Sequence, residues 1–117
     1  MATLTLYHNP RCSKSRQALE LLEAQDIELK IHRYLDTPLD TPALEALLHR
    51  LDGGLEQLLR TSEAEWKALN LDPDDSQAVL AAIAQHPKLM QRPIADRGDR
   101  AVVGRPPEAV LSLLTDH

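Results

Sequence analysis

Residues 4–16 read LTLYHNPRCSKSR and join a strand pattern to the start of a helix. Apolar and polar side chains alternate over residues 3–7, which predicts a short, half-buried strand. Pro10 ends this pattern because proline donates no ladder N–H and fixes its own φ. Apolar residues then recur at helical spacing over residues 17–25, with a cap at Cys12 or the following serine. The single cysteine therefore lies where a strand ends and a helix begins.

Cys12 is placed for anion chemistry. The first turn of a helix presents unpaired backbone N–H groups and the positive end of the helix dipole. We expect these groups to lower the pKa of the Cys12 thiol and so to favour the thiolate, its nucleophilic form. Charged neighbours add to this effect, namely Arg11, Lys14, Arg16 and, if it is protonated, His8. A free cysteine is more often a small buried hydrophobic residue, but these neighbours favour a reactive role.

Composition favours a single domain over residues 1–117. The chain has a net charge of −5, one tryptophan, two tyrosines and no phenylalanine, so it lacks the basic field and the aromatic platforms of nucleic-acid binding. No apolar run reaches the length of a membrane span, and the N-terminus has no secretory pattern. A lone cysteine allows no internal disulfide, which fits a reducing compartment. We therefore expect a cytoplasmic protein with no nucleic-acid or membrane partner.

A second strand completes a βαβ unit. Ile27, Leu29 and Ile31 alternate with polar residues as far as Tyr34, which is the period of a strand. Two parallel strands joined by a helix cross over right-handedly. Ligands of such sheets bind beyond the carboxyl ends of the strands, and Cys12 is predicted at that edge.

A helical insertion over about residues 41–88 follows. Its first helix is predicted to have Thr41 as the N-cap and Pro42 in the first turn. The apolar face of this helix consists of Leu44, Leu47, Leu48 and Leu51. Two further helices are expected, over about residues 63–69 and 75–85, because turn and cap signals bound apolar periodicity there.

Sheet character returns in residues 92–95 and 101–103. Gly98 lies in the charged run between them, which indicates an antiparallel hairpin. A last helix is expected after residues 104–107. Its apolar face consists of Val110, Leu113 and Leu114. The full order is βαβ, helical insertion, ββα, which predicts an α/β, thioredoxin-like fold with a mixed four-stranded sheet.

Disulfide chemistry in this chain needs an outside thiol. Thioredoxins and dithiol glutaredoxins carry a second cysteine three residues after the first, and here that position is Ser15. A disulfide formed by Cys12 must therefore be resolved by another molecule, and glutathione is the abundant intracellular candidate. A phosphatase-type loop also places a thiolate at a helix N-terminus, but it needs an arginine where this chain has Ala18.

Three arginines lie at positions suited to anion binding. Arg92 and Arg105 each precede a proline, which restricts their backbones, and Arg60 ends a short turn that begins at residue 55. Planar guanidinium groups bind the oxygens of an oxyanion in pairs. Each arginine alone is more often a solvated surface residue, but together with a thiolate they predict an oxyanion site. The fold also predicts a cis peptide bond before Pro93, facing the cysteine.

His8 and Ser15 are predicted to stabilise the thiolate. His8 either holds positive charge near Cys12 or ends the strand with ordinary hydrogen bonds, and we favour the first interpretation. Ser15 otherwise belongs only to the start of the helix. The remaining histidines show no metal-ligand spacing, so we expect no metal and no bound cofactor.

These residues resemble a known family, the glutaredoxin-dependent arsenate reductases. The resemblance runs over nearly the whole chain. It rests on residues 7–16, Leu58-Leu59-Arg60, His86-Pro87, Gln91-Arg92-Pro93-Ile94 and Gly104-Arg105-Pro106. It implies that Cys12 is the nucleophile and that His8 lowers its pKa. The oxyanion-binding arginines that it implies are Arg60, Arg92 and Arg105.

The reaction implied by the resemblance is the reduction of arsenate to arsenite. The Cys12 thiolate attacks arsenate, glutathione attacks the adduct as a co-substrate, and glutaredoxin clears the disulfide left on the cysteine. Two alternatives stay open. One is a non-enzymatic regulator that binds RNA polymerase, as relatives of this family do. The other is a monothiol reductase of another oxyanion or of protein–glutathione disulfides.

Overall fold

A mixed four-stranded sheet forms the centre of the fold. The computed structural model describes residues 3–114. Its strands are β1 (Thr3–Tyr7), β2 (Glu28–His32), β3 (Ile94–Asp96) and β4 (Ala101–Val103), in the order β2-β1-β3-β4. β1 and β2 are parallel, whereas β3 is antiparallel to both of its neighbours. This arrangement confirms the α/β, thioredoxin-like fold predicted from the sequence.

Helices cover the sheet and fill the predicted insertion. The α-helices in the described part of the chain are α1 (Ser13–Glu23), α2 (Thr41–Arg50), α3 (Leu55–Leu58), α4 (Ala64–Leu69) and α5 (Ser76–Gln85). Two 3-10 helices span Pro87–Leu89 and Pro107–Leu113. α1 connects β1 to β2, and α2 to α5 lie between β2 and β3. None of the helices within residues 3–114 has the length and apolar character needed to cross a membrane.

Each face of the sheet packs against its own hydrophobic core. Leu4 and Leu6 of β1 belong to one core. This core also contains residues of α1 and of the last 3-10 helix, namely Ala18, Leu22, Val110 and Leu113. Tyr7 and Ile94 belong to the opposite core, with buried residues of the helical insertion. Burying a leucine side chain stabilises the fold by about 1.5–3 kcal/mol, so both layers hold β1 and the loop that follows it.

The N-cap of α2 differs from the prediction. Asp40, rather than Thr41, is the cap residue, and its Oδ1 accepts a hydrogen bond from the backbone N–H of Ala43 at 3.0 Å. An N-cap side chain bonds the N–H group at the second or third helical position. Asp40 meets this requirement, and Thr41 is therefore the first helical residue.

The last helix is a 3-10 helix rather than an α-helix. The N–H of Ala109 donates to the carbonyl of Pro106 at 2.9 Å, and the N–H of Leu114 donates to the carbonyl of Leu111 at 3.0 Å. These bonds span three residues, as in a 3-10 helix. The predicted apolar face is nonetheless present, because Val110 and Leu113 are buried and Leu114 packs beside them.

β2 is an edge strand and is less buried than its alternation suggests. It runs from Glu28 to His32, which is shorter than the predicted segment over residues 27–34. Ile31 is 47% exposed. An edge strand has a neighbour on one side only, so its side chains receive less cover than those of β1.

Candidate active site

Four chain segments meet at one edge of the sheet. Tyr7, the last residue of β1, pairs with His32 of β2 and with Ile94 of β3. Ile94 in turn pairs with Val103 of β4. Residues just outside these pairs are therefore brought to the same edge, and they belong to segments 8–12, 33–34, 92–93 and 104–105. This edge contains the predicted cysteine and two of the three predicted arginines.

The hairpin of β3 and β4 brings Arg92 and Arg105 together. The N–H of Gly104 donates to the carbonyl of Pro93 at 2.8 Å, and a Cβ added at Gly104 would lie 2.7 Å from Cγ of Pro93. Only glycine allows this approach. Nε of Arg105 also donates to the carbonyl of Arg92 at 2.9 Å. The peptide bonds before Pro93 and Pro106 are both cis; the first was predicted and the second was not.

Cys12 is the N-cap residue of α1. Its backbone is extended, with φ −95° and ψ 123°, and its side chain makes no capping hydrogen bond. The N–H of Cys12 donates to the carbonyl of Asn9, and the N–H of Arg16 donates to the carbonyl of Cys12, both at 3.0 Å. Cys12 is 8% exposed. The sulfur therefore faces the unpaired N–H groups of the first helical turn.

The electrostatic surroundings of Cys12 favour its thiolate. Burial opposes ionisation, but the backbone N–H of Ser15, the guanidinium of Arg92 and the backbone N–H of Lys14 outweigh it. Together they lower the pKa of Cys12 below its ordinary value, because each stabilises the charged form. The direction agrees with the sequence prediction. The guanidinium involved belongs to a residue that is distant in the chain, rather than to a sequence neighbour.

The surroundings of His8 favour its neutral form over the positively charged form predicted from the sequence. Burial lowers its pKa, and the nearby charges of Arg33 and Arg16 lower it further. The ring is 4% exposed, and its Nδ1 lies 2.5 Å from Oγ of Ser15. This contact favours the alternative interpretation, in which His8 ends the strand through hydrogen bonds.

Ser15 contacts the thiolate through its backbone and the end of β1 through its side chain. The residue is fully buried. Its Oγ accepts a hydrogen bond from the backbone N–H of Asn9 at 3.0 Å and is also bonded to the ring of His8. The Ser15 side chain therefore fixes the loop between β1 and α1, while its backbone N–H helps to lower the pKa of Cys12.

Arg60 and Arg92 line one cleft at this edge, with a volume of about 260 Å³. The other residues of the cleft are Asn9, Arg11, Tyr34, Leu35, Glu63 and Lys88. Arg105 lies in an adjoining cleft, which also contains Arg60. The structure therefore places the three predicted arginines in two adjoining clefts at this edge of the sheet, and Arg92 is the one that acts on Cys12. Four cationic side chains and one carboxylate share the first cleft, in a chain whose net charge is −5.

Glu63 and Tyr34 are among the residues of this cleft that were not predicted from the sequence. Nη1 of Arg60 donates to Oε1 of Glu63 in a close ion pair, and Tyr34 is buried beneath the cleft with an exposure of 1%. Oppositely charged residues three positions apart are often neighbours in helical segments, so the sequence spacing is consistent with the Arg60–Glu63 ion pair. Tyr34 ends the second predicted strand, and no local pattern marks it as a site residue.

The cleft has the chemistry to hold and attack an anion. A thiolate is a nucleophile, and guanidinium groups bind and polarise oxyanions. Within residues 3–114, no group of three or more His, Cys, Asp or Glu side chains is arranged to hold a metal ion. The residues described here thus suit reaction of the sulfur with an anionic electrophile.

This chain is similar to known proteins over nearly its whole length. Residues 7–113 match the model of the ArsC family. The chain is 44% identical over 115 residues to a protein of Haemophilus influenzae named arsenate reductase, covering 96% of this chain and 99% of that one. It is 42% identical over 117 residues to an arsenate reductase of Neisseria meningitidis serogroup A, covering 97% and 100%.

A solved structure shows the same architecture. It is described as arsenate reductase from Vibrio cholerae and superimposes with a TM-score of 0.89 at 41% sequence identity, covering 95% of this chain and 97% of that one. The match therefore extends over almost the full length of both chains. Because the family model and these relatives cover nearly all of the sequence, the chain belongs to the ArsC family.

Proposed function

We propose that this protein reduces arsenate to arsenite, with Cys12 as its single nucleophile, glutathione as co-substrate and glutaredoxin as the protein that regenerates it. The names of its relatives support arsenate as the substrate. The single cysteine supports the need for an outside thiol. We place the reaction in the cytoplasm, where glutathione is abundant.

The main support for the proposal is the position and the hydrogen bonding of the Arg92 guanidinium. This guanidinium acts on Cys12 and lowers the pKa of that thiol, yet its Nε is buried and has no hydrogen-bond partner within residues 3–114. A buried donor without a partner costs about 1–3 kcal/mol. An oxyanion at the sulfur would supply the missing acceptor. Arg92 is therefore arranged to hold the thiolate and its substrate together.

In the first step the Cys12 thiolate attacks arsenate at the pentavalent arsenic. A sulfur–arsenic bond forms, and one arsenate oxygen leaves as hydroxide, which takes up a proton to become water. Arg92 and Arg60 bind the remaining oxygens as negative charge builds on them. Arsenic stays pentavalent in this step, so no electrons have yet been transferred.

In the second step a glutathione thiolate attacks the sulfur of Cys12. The electron pair of the sulfur–arsenic bond leaves with arsenic, which becomes trivalent arsenite. The two thiol sulfurs are oxidised together to the Cys12–glutathione disulfide, so the two electrons balance. Glutaredoxin then takes the glutathione from Cys12 by thiol–disulfide exchange.

The outer cleft supports a role for glutathione. Arg11 and Lys88 line it, and both are exposed. Arg60 and Arg92 lie further in and are partly buried, where a tetrahedral oxyanion fits. Glutathione carries two carboxylates and one ammonium group, so the outer cations give it partners that arsenate leaves unused.

The proposal is tested by following arsenate-dependent NADPH oxidation with glutathione, glutathione reductase and glutaredoxin supplied. We expect turnover that is lost in Cys12→Ser and in assays that omit glutaredoxin. Arg92→Ala is expected to lower kcat/KM by about 10²- to 10³-fold, as does the loss of an oxyanion donor in other enzymes. Turnover that persists in Cys12→Ser would contradict the proposal.

A protein with no arsenate turnover calls for two further assays. Reduction of another oxyanion or of a protein–glutathione disulfide by the same thiol would identify a different substrate. Co-purification with RNA polymerase that survives Cys12→Ser would favour binding over catalysis.

A further inference from the structure

Tyr34 is a buried polar residue that the steps above do not use. Its side chain lines the cleft that contains Arg60 and Arg92, although only 1% of the residue is exposed. The charges of Arg92, Cys12 and Arg105 all act on its hydroxyl. Filling the core does not require a tyrosine hydroxyl to lie among the groups proposed to bind the oxyanion.

Asn9 lines the cleft together with Tyr34, and its own side chain is held in place by the backbone. The backbone N–H of Arg11 donates to Oδ1 of Asn9 at 3.0 Å. The side chain of Asn9 acts on the phenol in the sense that lowers the pKa of Tyr34, against the larger effect of burial. Since the carbonyl oxygen of Asn9 accepts from Arg11, its amide N–H is the group that can donate to the phenol oxygen. A phenol oxygen that accepts from this amide keeps its own O–H to donate into the cleft.

We propose that the hydroxyl of Tyr34 donates a hydrogen bond to the oxyanion that binds at Cys12, and that Asn9 holds it in position. This inference rests on the proposed function because it assumes an oxyanion in this cleft. It makes Tyr34 an uncharged donor beside Arg60 and Arg92. Linked hydrogen bonds polarise one another in a low dielectric, so the amide of Asn9 strengthens the bond that Tyr34 donates.

The protonation state of Tyr34 defines this role. Burial raises the pKa of Tyr34 to about 12, so the group keeps its proton throughout the neutral range. It therefore acts as a hydrogen-bond donor and does not supply the proton for the departing hydroxide. Tyr34→Phe removes the donor and keeps the ring that fills the core.

The test measures oxyanion binding without requiring turnover. Cys12 is alkylated with iodoacetamide, and the concentration of arsenate, phosphate or sulfate that halves the alkylation rate is determined for each variant. We expect Tyr34→Phe to raise this concentration about tenfold for an oxyanion that protects the unmodified protein. Tyr7→Phe is the matched control, because the hydroxyl of Tyr7 bonds Asp96 and its ring is also buried. Tyr7→Phe should leave the protecting concentration unchanged.

A second variant tests the role of Asn9. Asn9→Ala should weaken protection in the unmodified chain and add little in the Tyr34→Phe background, since the two residues act on one hydrogen bond. Equal protection in Tyr34→Phe and the unmodified chain would overturn the inference. An equal shift in Tyr7→Phe, or no protection by any of the three oxyanions, would also overturn it. A specific shift in a protein without arsenate turnover would support Tyr34 while it contradicted the proposed reductase function.

Discussion

His8 and Ser15 are joined through their side chains, with Nδ1 of His8 2.5 Å from Oγ of Ser15. Both residues are buried. The same Oγ accepts the backbone N–H of Asn9, so one hydroxyl bonds two groups at the end of β1. Ser15 occupies the place of a resolving cysteine in the sequence, and its hydroxyl holds the loop that carries Cys12.

The contact predicts that Ser15→Ala destabilises the protein. The substitution leaves the N–H of Asn9 and a ring nitrogen of His8 without this partner, and an unsatisfied buried polar group costs about 1–3 kcal/mol. Urea unfolding should show a loss of that size in the free energy of unfolding. Ser13→Ala is the control, because Ser13 is exposed in the same helical turn. Similar stabilities for the two variants would contradict the role of the Ser15 hydroxyl.

Arg92 is predicted to control the ionisation of Cys12. Its guanidinium lowers the pKa of that thiol by hydrogen bonding and by charge, so Arg92→Ala should raise the pKa and decrease the thiolate fraction at neutral pH. Thiolate absorbance near 240 nm, followed against pH, measures the change. Arg16→Ala is the control, since the Arg16 guanidinium donates to the carbonyl of Pro10. A larger shift in Arg16→Ala would assign the effect to the sequence neighbour.

The Arg60–Glu63 ion pair predicts a gain in substrate affinity on substitution. Glu63 holds Nη1 of Arg60 and adds negative charge to a cleft proposed to bind an oxyanion. Glu63→Gln should therefore lower the KM for arsenate by about two- to fivefold, which corresponds to a partly exposed charge pair. Glu45→Gln, at an exposed position of α2, should have no effect. A raised KM in Glu63→Gln would mean that the carboxylate positions Arg60 for binding.

Burial of His8 predicts a loss of stability in mild acid. The folded state lowers the pKa of His8, so the unfolded state binds the proton first as pH falls below about 6.5. The contribution of His8 to the free energy of unfolding is complete above that pH. As the pH falls toward the pKa of His8 in the folded state, this contribution decreases by at most about 1.4 kcal/mol per pH unit. The free energy of unfolding should change less between pH 7 and pH 5 in His8→Gln than in His49→Gln. His49→Gln is the control, because the side chain of His49 is exposed. An equal pH dependence would contradict a neutral, buried His8.

Local patterns in the sequence predicted most of the fold. The alternation in β1 and the glycine between β3 and β4 depend on neighbouring residues, and both features were confirmed. The type of the last helix could not be predicted in this way. Val110 and Leu113 are three residues apart, and that spacing fits a 3-10 helix as well as an α-helix. Asp40 and Thr41 are both good caps, so only the structure shows which side chain reaches Ala43.

Parts of the candidate site were predictable because the residue type and its local position together indicate a chemical role. Cys12 at a helix start and arginines before prolines gave such signals, and the structure brings them together. The lowered pKa of His8 was not predictable, because it depends on burial and on the charge of Arg33 across the sheet edge. Tyr34 was missed for a similar reason, since the charged groups that act on its hydroxyl come from separate segments of the chain.

The most direct test of the central claim is the arsenate-dependent formation of the Cys12–glutathione disulfide. Reduced protein is incubated without oxygen with glutathione alone, arsenate alone, or both, and its intact mass and the arsenite formed are measured. Glutathione alone cannot oxidise a thiol, so we predict the mixed disulfide and an equal amount of arsenite only when both are present. Disulfide without arsenite, or arsenite formed by Cys12→Ser, would contradict the proposed reaction.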